Sequence, residues 1–178
     1  MPLMEAIPTV STSTLIAQLA TQDVRHLRLT RTVEPMSNFS PETLITDLAR
    51  HPDARLREAL ILLFLRQPTY ARYVPEITVA LESEAALTLR HMYTAAVYLQ
   101  RLWRSTLGLY LGNFLLLPDY FGQAEFCLPA PDLHFGEAGL RALAALFQAK
   151  TGYDWLTTYH SAISLLLAQL SLAMTPDD

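Results

Sequence analysis

Cysteine is almost missing from this chain: Cys127 is the only one in 178 residues. A single thiol excludes an internal disulfide and fits a reducing, cytoplasmic compartment. Lysine is as scarce, Lys150 being the only one among thirteen basic residues. The other twelve are arginines, which favour planar, bidentate contact with carboxylate or phosphate. Charge of either sign is thin, 17% of residues against about 25% in an ordinary soluble domain. A domain this short of charge is expected to hide surface against a partner. The net charge of −4 excludes a generally basic nucleic-acid coat. Long apolar runs are missing too. "LGLYLGNFLLLP" and "ISLLLAQLSLAM" fall well short of the ~20 residues that cross a bilayer, so no membrane span is expected and both read as core helices. The opening "MPLMEAIPTV" lacks the basic start and apolar core of a secretory signal.

Catalytic signatures are absent as well. The sequence holds no GxxxxGK[ST] phosphate loop, GxGxxG, HExxH, GxSxG or zinc ribbon. No histidine follows an arginine at the spacing of HEPN-type helical ribonucleases. The close carboxylate pairs, Glu82/Glu84 and Asp177/Asp178, read as solvated. An enzyme is therefore the less favoured expectation, and no cofactor, metal or catalytic residue is assigned.

What the chain does have is apolar bulk, 51% of residues, in a length that suits one domain burying roughly 70% of its unfolded surface. Residues 1–13 read as loose, with a short helix over 14–23. "VRHLRLTRTV" is ambiguous: Leu27, Leu29 and Val33 alternate as in a strand, while Arg25, Arg28 and Arg31 repeat every three residues as in a helix. An extended arm near 24–33 is the favoured reading. "SPETLITDLARH" predicts a helix, with Ser40 as cap, Pro41 in the first turn and Glu42 near the positive end of the dipole. In "HPDARLREALILLFLRQP" every residue from Ala59 to Leu65 is apolar, which leaves no face for water. A helix apolar all round is a central one. Beyond it the pattern predicts a helix interrupted at Pro75, a long helix over 83–111 ended by Gly112, an irregular stretch over 113–135 packed on the core, a helix over 137–150 stopped by Gly152, and a last helix capped by Asp154. The sum is an all-α, compact, irregular bundle of six or seven helices in a single domain, 1–178.

Two resemblances follow from these residues. "PDARLREALILLF" resembles the first helix of a HEAT repeat, with Leu56, Arg57, Ala59 and Leu60 in its pattern and a hairpin implied over 51–82. Echoes at Leu89-Arg90 and Leu140-Arg141 are spaced 33 and 51 residues apart, too unequally for a regular array. The 51–75 segment and "GYDWLTTYH" are similar to small uncharacterised bacterial proteins that neighbour nucleotidyltransferase, toxin–antitoxin-like genes. That resemblance implies a partner-protein, antitoxin-like role.

Four constellations are candidates for function. Arg90, Arg101 and Arg104 fall on one ridge of the long helix with Thr94, Val97 and Gly108 between them. No Asp or Glu occurs from Ala85 to Pro118, so the ridge reads as an anion or acidic-partner site, unless carboxylates from elsewhere meet it. Arg25, His26, Arg28 and Arg31 read as a basic arm for nucleic acid or an acidic partner, or as a plain connector. The 113–135 stretch carries Asp119, Glu125, Cys127, Asp132 and His134 without metal-ligand spacing, and reads as a packed lid with Cys127 a buried thiol. Tyr153, Trp155, Tyr159 and His160 can stack on a base or a neighbour, core packing being favoured. The expected function is a non-enzymatic interaction module binding a partner protein, with self-association as an option. The alternatives are a helical enzyme or binding domain for a phosphate-bearing small molecule, and nucleic-acid binding through the N-terminal arm.

Overall fold

The computed structural model describes residues 10–24 and 39–174. Among them the chain is all α, as the periodicity predicts, with no strand. It has eight α-helices rather than six or seven: α1 Thr12–Thr21, α2 Pro41–Arg50, α3 Ala54–Arg66, α4 Val74–Ala80, α5 Ser83–Leu102, α6 Arg104–Leu111, α7 Glu137–Thr151 and α8 Trp155–Met174. The arm expected near 24–33 lies outside the described residues except for Val24, which is buried.

Local chemistry sets the helix starts. Ser40 accepts the Thr43 N–H at 3.2 Å with Pro41 in the first turn. Asp53 accepts the Arg55 N–H at 2.9 Å and so caps α3, which satisfies donors that the first turn leaves unpaired. Arg57 then ties down the preceding turn, giving Nη1–H to the carbonyls of His51 (2.8 Å) and Pro52 (2.7 Å). Three-ten turns over Pro68–Tyr73 carry the chain into α4, with Pro75 in its first turn. The left-handed Gly152 closes α7.

Helix α3 is the centre. Each residue from Ala59 to Leu65 is at most 2% exposed, and α1, α2, α5 and α8 all pack around it. The next helix departs from expectation. The predicted rod over 83–111 is two helices, because Trp103 leaves helical geometry (φ −105°, ψ 17°) between α5 and α6. Neither proline nor glycine marks the break; the Trp103 side chain is partly buried against the core and lines a cleft with residues of α7 and α8.

Residues 113–135 pack on the core as a lid, through Leu117, Phe121 and Leu128. Polar groups of α5 hold its backbone. Buried Gln100 donates to the Leu115 carbonyl (2.9 Å) and accepts the Leu117 N–H (2.7 Å). Tyr93 and Tyr98 donate to the carbonyls of Pro118 and Pro129, at 2.8 and 2.7 Å. The lid ends in three left-handed residues, His134, Phe135 and Gly136. Only glycine fits the last, since a Cβ there would lie 2.6 Å from the Tyr98 carbonyl oxygen.

Candidate docking face

The arginine ridge does not survive as an uncompensated surface. Thr94 and Val97, between its members, are buried, so that side of α5 faces inward beneath the lid. The lid supplies the carboxylates that the helix lacks. Arg90 Nε lies 3.2 Å from Glu125 Oε2, and Arg101 Nε lies 3.2 Å from Asp132 Oδ1. These are charge pairs whose N–H groups are not aligned for hydrogen bonding. Arg101 is spent on the lid in other ways as well, donating to Gln100 Oε1 at 3.0 Å and to the Leu117 carbonyl at 2.9 Å. Arg104, beyond the break, is exposed and has no carboxylate within 4.0 Å among the described residues. The basic set Arg25, His26, Arg28 and Arg31 lies outside the described residues.

Cys127 is exposed rather than buried. Its backbone is left-handed (φ 54°), a conformation set by the turn between the packed Phe121 and Leu128. Among the described residues, no three His, Cys, Asp or Glu side chains gather as a metal site.

The aromatic set near the start of α8 does pack inward. Tyr159 is fully buried and Trp155 half-buried, their rings 6.3 Å apart. Around them sits His91 of α5, which sequence reasoning did not single out. Its ring stacks on Phe147 at 3.5 Å, and its Nε2 is 2.5 Å from the Tyr159 hydroxyl. Burial, with the Lys150 charge in support, lowers its pKa to about 3, so the imidazole is neutral and structural. The same burial raises the Tyr159 hydroxyl far above its usual range.

A cleft opens where α5 and α6 part. It has a volume of about 380 Å³ and is lined by Leu102, Trp103, Thr106, Glu137, Leu140, Arg141, Leu156 and His160. Its walls are mixed. Glu137 Oε1 accepts from Arg141 Nε and Nη2 at 2.9 and 2.8 Å, while the buried Trp103 indole N–H has no acceptor.

The cleft leads onto α8, where a second expectation fails. Read as a core helix, α8 is buried along one side only, through Tyr159, Ala162, Ile163, Leu166 and Leu170. Half of its 20 residues are exposed, yet it contains no Asp, Glu, Lys or Arg. Solvated surface normally carries about 25–35% charged residues. No helix among the described residues is long and apolar enough to cross a membrane, so a bilayer core does not account for this face.

Fold and face together define an irregular all-α domain with one charge-free flank running into a cleft. Compared with family models, curated proteins and solved structures, the chain finds no match.

Proposed function

We propose that the chain is a non-enzymatic helical interaction module that docks a partner protein on the exposed side of α8 and the adjoining cleft. One observation carries the reading: an exposed helix flank three turns long without a single charged side chain. The flank is uncharged rather than uniformly apolar, and its exposed large apolar side chains, Leu165, Leu172 and Met174, gain about 25 cal/mol per Å² when covered. The low charge of the whole sequence, expected to mark a hidden surface, is concentrated there. The phosphate-ligand alternative loses its support, because Arg90 and Arg101 serve the lid and neither lines the cleft. The resemblance of 51–75 and 152–160 to small bacterial proteins that neighbour nucleotidyltransferase, toxin–antitoxin-like genes makes the product of an adjacent gene the first partner to try.

The test is a photo-crosslinking residue placed at Ser164 in cells that produce the chain. The expected result is a discrete adduct with one other protein. The same residue at Val79, which is 86% exposed on the separate helix α4, should give none. Equal, diffuse labelling at both positions contradicts the docking role.

A further inference from the structure

We propose that the 113–135 lid is a charge-latched strap. It opens as one unit while the helices stay folded, and Glu125 and Asp132 set how often it does so. The proposal is independent of docking on α8 and concerns the other side of the molecule's chemistry, the arginine ridge of α5.

The lid is wired to itself. The backbone–backbone hydrogen bonds of 119–132 all run to other lid residues. Glu125 and Phe126 donate to the Phe121 carbonyl at 2.9 and 3.0 Å, and Leu128 donates to Gly122 at 2.9 Å. Leu133 and Phe135 donate to Ala130 and Asp132, at 3.0 and 3.2 Å, and the Asp119 carboxylate accepts the Gly122 N–H at 2.7 Å. Lifting this piece breaks none of these bonds, so its backbone stays paired when it moves. Side chains are what fasten it: Tyr93, Tyr98, Gln100 and Arg101 of α5 reach its carbonyls, and Leu117, Phe121 and Leu128 pack beneath it.

Both ends are hinged. Gly112 (φ 67°) and Gly136 (φ 91°) flank the lid in backbone conformations that other residues rarely adopt, and a Cβ on Gly112 would meet nothing within 4 Å. Four non-glycine residues among the described ones have positive φ, and three of them, Cys127, His134 and Phe135, belong to the lid. Such conformations persist only while surrounding packing enforces them, and they gather in segments that switch.

Closure also strands polar atoms. Arg90 Nε, Thr94 Oγ1 and Arg101 Nε are buried without a hydrogen bond, and their spacing of i, i+4 and i+11 puts all three on one ridge of α5. Opening lets water reach them. In the closed form Glu125 and Asp132 compensate by charge alone, each oxygen 3.2 Å from its Nε, and both acids are exposed. Pairs of that kind are individually weak and are screened by salt. The latch is therefore adjustable: whatever weakens the two pairs uncovers Arg90, Arg101 and the tyrosines beside them.

Hydrogen exchange read by mass spectrometry on the full-length chain tests this. Peptides covering Leu117 and 122–128 should exchange together, about tenfold or more faster than those of α3. Raising the salt to about 0.5 M should speed the lid roughly threefold and leave α3 unchanged. The double variant Glu125→Gln, Asp132→Asn should reproduce that speed at low salt and lose the salt response. Both acids are exposed, so the variant folds, and an unchanged α3 rate verifies it. Lid peptides that exchange at the α3 rate overturn the proposal, because the lid then opens only on global unfolding. Lid peptides with unrelated rates overturn the single unit. A variant that leaves lid exchange unchanged, or keeps the salt response, overturns the latch.

Discussion

Helices α3 and α8 look alike as strings of letters and differ entirely as objects. The run from Ala59 to Leu65 in α3 has no charge and is buried on every side. The whole of α8 has no charge and is buried on one side only. In α3 the missing charge is explained by the fold, because α1, α2, α5 and α8 surround it. In α8 the packing among the described residues covers one side only. Absence of charge is accounted for by packing in one helix and is the ground of the proposed docking role in the other, and only the packing tells them apart.

The largest effect should come from breaking α3. Leu63→Asp places a carboxylate at a position with no exposure, where neither water nor a counter-ion is available. The expected cost exceeds about 4 kcal/mol, and circular dichroism should show loss of the cooperative melt. A folded variant would mean that α3 is not the organising centre.

Next comes the clasp between α5 and the lid. Arg101→Met removes two hydrogen bonds to lid and clasp groups and the pairing with Asp132. A loss of roughly 2–4 kcal/mol is expected, since a buried carbonyl is left unpaired. Limited proteolysis should then cut within 113–136 while the helical signal persists. Unchanged protection of that stretch would show that Arg101 does not hold it.

The buried imidazole gives a pH dependence of moderate size. His91 is held neutral, its pKa lowered to about 3, against about 6.5 in the unfolded chain. The unfolded state thus binds the extra proton between those values. The stabilisation is complete above about pH 6.5 and declines as pH falls toward 3, with a slope approaching 1.4 kcal/mol per pH unit. Chemical denaturation at stepped pH measures it. In His91→Gln the part of the slope owed to this group should vanish; an unaltered slope assigns the acid sensitivity to other groups.

Much of this fold was legible. Ser40 and Asp154 announced their caps, Pro75 and Gly152 their breaks, and the run 59–65 its burial, because each is a local signal carried by the residues that do the work. What escaped was long-range. The break at Trp103 has no proline or glycine to announce it. The pairing of Arg90 and Arg101 depends on Glu125 and Asp132, which lie 35 and 31 residues further on in a stretch without periodicity. Helical spacing identified a true ridge on α5 but could not say that the lid would cover it. The candidate face was readable only in part: the charge-free run at the chain's end was visible, but its exposure was not.

The most direct test of the central claim is a thermal melt of the triple variant Ser161→Arg, Ser164→Arg, Ala168→Arg. All three positions are exposed and separated by three or four residues, so the added guanidinium groups reach water. If the charge-free flank serves docking and not folding, Tm should stay within about 3 °C of the parent, a change under ~1 kcal/mol, and the adduct formed by a crosslinker at Leu165 should disappear. A fall of ten degrees or more, with the adduct retained, would show that this flank belongs to the fold and that the partner binds elsewhere.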